Sequence, residues 1–117
     1  MAEEGQVISC HSKNEWDNQF QKGKDSKKLV VVDFTATWCP PCRMIAPIFV
    51  EMASKYRNAI FLKVDVDELQ EVAKEWDIEA MPTFLLLKEG EIIEKIVGAD
   101  KDGLSKKVEV HSVLAAA

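Results

Sequence analysis

Apolar residues in this chain alternate between unbroken β-branched runs and stretches in which they return every three or four positions. Residues 6–9 form a short strand candidate, and a helix opens at Ser12. There Glu15, three residues on, completes a capping-box spacing, and Trp16 and Phe20 make an i, i+4 apolar pair. Gly23-Lys24-Asp25-Ser26 closes that helix. Residues 28–35 have no polar alternation before Asp33, the pattern of a central strand covered on both faces.

The second helix starts at Cys39 or Pro40, where prolines cost no helical hydrogen bond, and reaches about Tyr56. Met44, Ile45, Ile48, Phe49 and Met52 form its apolar face, and Pro47 inside it predicts a kink. A strand over 59–65 leads to a helix capped by Asp67 and running from 68 to about 76. Strands over 84–88 and 91–97 are joined by Glu89-Gly90 as a short hairpin. An amphipathic helix from 101 to about 113 ends the pattern. The order β-α-β-α-β-α-β-β-α predicts an α/β fold: a central mixed five-stranded sheet flanked by four helices, with parallel crossovers first and one antiparallel hairpin last.

With 117 residues and no linker, repeat or low-complexity stretch, residues 1–117 read as a single domain able to bury its own core. A net charge of -5, with 15 basic residues scattered among acidic ones, argues against binding nucleic acid. No stretch is long and apolar enough to span a bilayer. The start, Met1-Ala2-Glu3-Glu4-Gly5, resembles neither a signal nor a transit peptide. Together with three cysteines, an odd number, this points to a reducing, cytoplasmic setting.

The candidate chemistry is Trp38-Cys39-Pro40-Pro41-Cys42, at a strand-to-helix junction. Two thiols at this spacing can close on each other, and a helix N-terminus favours a thiolate, the species that attacks disulfides. Zinc is the main rival, but a structural site normally takes four ligands, and Cys10, His11 and His111 offer no second pair at finger-like spacing. A purely structural disulfide fits poorly, because so short a loop constrains the unfolded chain little. The residues therefore favour thiol–disulfide exchange.

The segment from Val31 to Pro47, built around this pentapeptide, resembles the active-site segment of thioredoxins. Met81-Pro82-Thr83-Phe84 resembles that family's cis-proline segment, and Val97-Gly98-Ala99 its glycine turn. The similarity runs from about Gln6 to His111, and the start Glu3-Glu4-Gly5-Gln6-Val7-Ile8 with Cys10-His11 is similar to plant cytosolic h-type members. The resemblance implies a protein-disulfide reductase in which Cys39 attacks the target and Cys42 resolves the mixed disulfide. It implies no bound cofactor or metal: electrons come from NADPH through a thioredoxin reductase, which with disulfide-containing target proteins makes up the partners of a monomer. A disulfide isomerase or a redox-gated binding module are the alternative readings.

Taken by itself, Asp33 is most simply the solvated end of a strand. The resemblance makes it a buried carboxylate of raised pKa that accepts the proton of the resolving thiol, with Lys63 as its lysine partner, against the plainer reading of a lysine snorkelling from a strand. Pro82 by itself is an ordinary trans strand entry; the resemblance implies a cis bond that turns the Met81 backbone toward targets. Trp38, Pro40, Met81, Pro82, Val97, Gly98 and Ala99 then form the docking surface. Trp16 and Trp76 read as core or cover residues, Cys10 as a small buried hydrophobe, and His11 and His111 as surface residues.

Overall fold

Among the described residues nine elements follow one another in the expected order. They are β1 (Val7–Cys10), α1 (Lys13–Ser26), β2 (Val30–Thr35), α2 (Pro40–Lys55), β3 (Ile60–Asp65), α3 (Gln70–Glu75), β4 (Thr83–Lys88), β5 (Glu91–Val97) and α4 (Lys101–Ala116). The computed structural model describes residues 5–116, with side chains as far as Ser112; Met1 to Glu4, the stretch read for a signal or transit peptide, and Ala117 lie outside the described residues.

The sheet order is β1-β3-β2-β4-β5. β1 and β2 both run parallel to β3, whereas β4 is antiparallel to β2 and to β5. β2 is therefore the middle strand, which explains its unbroken apolar run: all six of its residues are buried. Alternation along it divides the core. Val30, Val32 and Phe34 point to the side covered by Trp16 of α1 and Val72 of α3. Val31 points to the other side, with Ile45, Phe49 and Met52 of α2 and Leu104 and Val108 of α4. Phe34, Phe49, Phe61 and Phe84 are each almost fully buried, worth roughly 1.5–3 kcal/mol apiece by area removed from water. Trp16 stacks edge-on to Trp76 at 6.2 Å, so both indoles belong to the α1–α3 side.

Local chemistry accounts for most boundaries. Ser12 caps α1 by accepting the Glu15 N–H at 3.1 Å. Glu89 and Gly90 take positive φ of 51° and 84°, the pair of left-handed residues that a two-residue hairpin between twisted strands requires. α2 runs on through Pro47 to Lys55.

Two expectations need correction. Gly23 does not begin the end of α1; the helix continues to Ser26 and stops at Lys27, which is left-handed at φ 60°. Gly23 is buried inside the helix because a Cβ there would run into Val30 of β2. Nor does Asp67 cap the third helix, which starts two residues later than expected, after Leu69, without a side-chain cap. Asp65 instead accepts the N–H groups of Asp67 (2.8 Å) and Glu68 (3.3 Å) in the preceding turn.

Candidate active site

Cys39 is the N-cap of α2. Its backbone is extended at φ -100°, ψ 105°, and its Sγ accepts the N–H of Cys42 at 3.2 Å. Pro40 and Pro41 fill the first two helical positions, where the absent N–H groups have no partner to lose. The Cys42 N–H is therefore the first main-chain donor that the helix end can aim at sulfur. The two cysteines are joined as a disulfide with Cα atoms 5.3 Å apart. The approach to the cap is fixed by Cys39 N–H donating to Ala36 O (3.3 Å), Arg43 N–H to Cys39 O (3.2 Å), and the Arg43 guanidinium to Thr37 O (2.8 Å).

On β2, the strand that leads into the Cys39 loop, Asp33 is 1% exposed, and its Oδ1 has no hydrogen-bond partner. Burial pushes its carboxyl up to about 7, and the positive charge of Lys63 pulls the other way. Lys63 is the direct β3 neighbour of Asp33 across the parallel ladder. It is half-buried, not enclosed, and makes no ion pair with Asp33 or any other described residue. Its charge therefore reaches the carboxylate through space. Asp33 sits mid-sheet, not at a solvated strand end, because β2 is flanked on both edges.

Around the sulfurs the rim is apolar and open. Trp38 is 60% exposed and Val97 57%, Pro40 and Ala99 are exposed, and Met81 is half-buried. The Met81–Pro82 bond is cis, and the Met81 carbonyl oxygen lies 3.5 Å from the Cys39 Sγ. Gly98 N–H donates to Pro82 O at 2.8 Å, tying the β5 turn to the proline segment. Gly98 needs to be glycine for its backbone, φ +95°, since a Cβ there would meet nothing.

One residue was missed by sequence reasoning. The Trp38 indole N–H donates to Asp67 Oδ2 at 2.8 Å, so the exposed ring is pinned by a residue 29 positions away. The only signal in the sequence was an aspartate just after a strand, which equally suits a helix cap. Cys10 is 1% exposed, and burial raises its thiol to about 11, leaving it un-ionised at neutral pH. His11 is exposed and pairs with Glu68 at 3.0 Å. His111, expected at the surface, is instead half-buried against Glu94 at 2.9 Å, because α4 packs on β5. Among the described residues no cluster of histidine, cysteine or carboxylate could hold a metal ion.

The arrangement thus offers a vicinal-type dithiol/disulfide with a helix end behind it and an apolar rim before it. A family model described as Thioredoxin matches residues 7–110. The chain belongs to the thioredoxin family. It is 60% identical to thioredoxin H4 of Arabidopsis thaliana over 112 residues, covering 95% of this chain and 94% of that protein. It is 59% identical to an H-type thioredoxin of Ricinus communis over 114 residues, covering 97% of each. Among solved structures, that of thioredoxin NaTrxh from Nicotiana alata matches at a TM-score of 0.88 and 52% identity, covering 91% of this chain and 92% of that one. Thiol–disulfide reductase activity comes with the family and with the Cys39–Cys42 pair. Thioredoxins carry no bound cofactor; NADPH is supplied through thioredoxin reductase. No helix among the described residues is long and apolar enough to cross a membrane.

Proposed function

We propose that this thioredoxin reduces protein disulfides with Cys39 as the attacking thiol and Cys42 as the resolving one. The Cys39 thiolate attacks one sulfur of the target disulfide, forming a mixed disulfide and releasing the other target sulfur as a thiolate. Cys42, deprotonated with Asp33 as acceptor, then attacks the Cys39 sulfur. The target leaves fully reduced and the chain carries the Cys39–Cys42 disulfide, which a thioredoxin reductase reduces with electrons from NADPH.

The observation that carries this division of labour is the cap itself: the Cys39 Sγ occupies the helix N-terminus and receives the Cys42 N–H. A negative sulfur there is favoured by both the donor and the helix dipole. Trp38, Pro40, Met81, Pro82, Val97, Gly98 and Ala99 serve as the docking surface, with the Met81 backbone meeting the target as an added strand would. Lys63 tunes the Asp33 carboxyl through space. The protein works as a monomer in the cytosol on this reading.

The test is NADPH oxidation with a thioredoxin reductase and insulin. Many equivalents of disulfide should be reduced per chain. A single stoichiometric round followed by arrest would identify a redox-gated binding module instead, and scrambled-disulfide rearrangement without net reduction would identify an isomerase.

A further inference from the structure

A cavity of about 530 Å³ lies behind the disulfide, between the first turns of α2 and the β3–β1 side of the sheet. Cys42 forms part of its wall, but Cys39, Trp38, Met81, Pro82 and Gly98 do not, so it opens away from the apolar rim. Its size is that of a small-molecule site, larger than a single amino acid needs.

The lining carries two positive and two negative side chains, Lys63 and Arg43 against Asp65 and Glu68. Several of these groups have bonding capacity to spare. Lys63 makes no ion pair with any described residue. Arg43 has one guanidinium nitrogen engaged, on Thr37 O. Asp65 accepts main-chain N–H groups through Oδ1, leaving its other oxygen. Thr35 is 7% exposed, and its hydroxyl makes no hydrogen bond with a described residue. Glu68 is already held by His11, at an exposed pair that a charged ligand group can join or displace.

We propose that this cavity binds a short peptide with free termini, two to three residues long, as a zwitterion. Its carboxylate is taken by Lys63 and Arg43 and its ammonium by Asp65 and Glu68, with Thr35 offering a hydroxyl to the backbone between. The equal balance of signs on one wall set is what selects a zwitterion over a simple anion or cation, since either of those would face two like charges. The cavity's volume and its separate charged groups select a peptide over a free amino acid. Because the wall includes Cys42, the bound peptide rests against the helix that holds the dithiol, without occupying the face at which proteins dock.

The probe is triglycine, which has no thiol and so no redox chemistry of its own, titrated into the full chain under backbone amide NMR. Ser9, Ala46, Lys63, Asp65 and Glu68 should shift together and saturably in the millimolar range or below. N-acetyl-triglycine and triglycine amide, each lacking one terminal charge, should bind about tenfold more weakly, as expected for losing a charge-assisted hydrogen bond at a partly buried site. Glu68→Gln should weaken triglycine by about as much while leaving insulin reduction unchanged, which also shows the variant is folded. Arg43→Gln should weaken triglycine amide less than it weakens triglycine. Binding of N-acetyl-triglycine and triglycine amide as tight as that of triglycine, no saturation, or a response indifferent to Glu68→Gln would each overturn the proposal.

Discussion

Replacing Asp33 by asparagine removes a charge from the middle of the sheet, and its effect on stability should depend on pH in a calculable way. The carboxyl titrates near 3.8 when exposed and is pushed up to about 7 by burial in the fold. A group whose folded pKa is raised binds its proton more tightly in the folded state. Its contribution to stability is therefore complete below pH 3.8 and declines as pH rises, levelling off once the folded carboxyl has ionised. At about 1.4 kcal/mol per pH unit, the rise from 3.8 to about 7 makes ionised Asp33 cost about 4 kcal/mol above neutrality. Asparagine has the same shape and never ionises. Asp33→Asn should accordingly match the parent near pH 4, exceed it by about 2 kcal/mol near pH 5.5, and by about 4 kcal/mol at pH 8. Urea denaturation of the oxidised protein, followed by tryptophan fluorescence across that range, measures the difference directly. The same variant should reduce insulin more slowly, because the resolving thiol loses its acceptor. A stability difference that stays flat from pH 4 to 8 would refute the buried-carboxylate reasoning. Normal turnover beside a pH-dependent gain would leave Asp33 a buried acid with no part in proton transfer.

Cys42→Ser should trap covalent complexes with disulfide-bearing proteins, and Cys39→Ser should trap none; mass spectrometry of the adducts decides, and equal trapping by both reverses the assignment. Pro40→Gly adds a donor near the Cys39 sulfur and loosens the loop. These effects oppose, so the reduction potential should move by less than about 20 mV while rates on different target proteins change order. Asp67→Ala frees the Trp38 indole and should raise KM for protein disulfides several-fold, as for about 1 kcal/mol, with kcat little changed; Asp67→Asn, which keeps an acceptor, should restore most of it. Gly23→Ala forces a methyl into Val30 and should lower stability by roughly 1–3 kcal/mol, readable as a drop in Tm without loss of specific activity in the folded fraction.

What could be read from the residues alone was whatever local chemistry settles. The strand-to-helix junction at Cys39 is legible because prolines cost no hydrogen bond in the first helical turn, and the Glu89-Gly90 hairpin because only these two residues separate two apolar strand runs. Gly23 and Asp67 were misread for one common reason. Each carries a local signal, helix stop or helix cap, but each is used for a contact outside its own element: Val30 of the strand under the helix, and the indole of Trp38. Lys63 was legible as a neighbour of Asp33 only through the family resemblance, because the pairing depends on the register of β2 against β3, and its place in a cavity wall needed the packed fold. The partnership of His111 with Glu94 likewise needed the final helix to be laid against β5.

The placement of β2 has a consequence for how the molecule breathes. Its amides are bonded on both sides, to β3 and to β4, and its side chains are covered on both faces. Such a strand exchanges its amide hydrogens with solvent only when the whole structure opens, whereas the outer strands β1 and β5 exchange through fraying. The loop that carries the reactive sulfurs leaves directly from the end of this slowest-exchanging segment. Whatever closing the sulfur bond adds to or takes from the stability of the whole fold should therefore appear as one equal change in protection from Val31 to Phe34. Heating should abolish activity together with the last protected amides, not ahead of them.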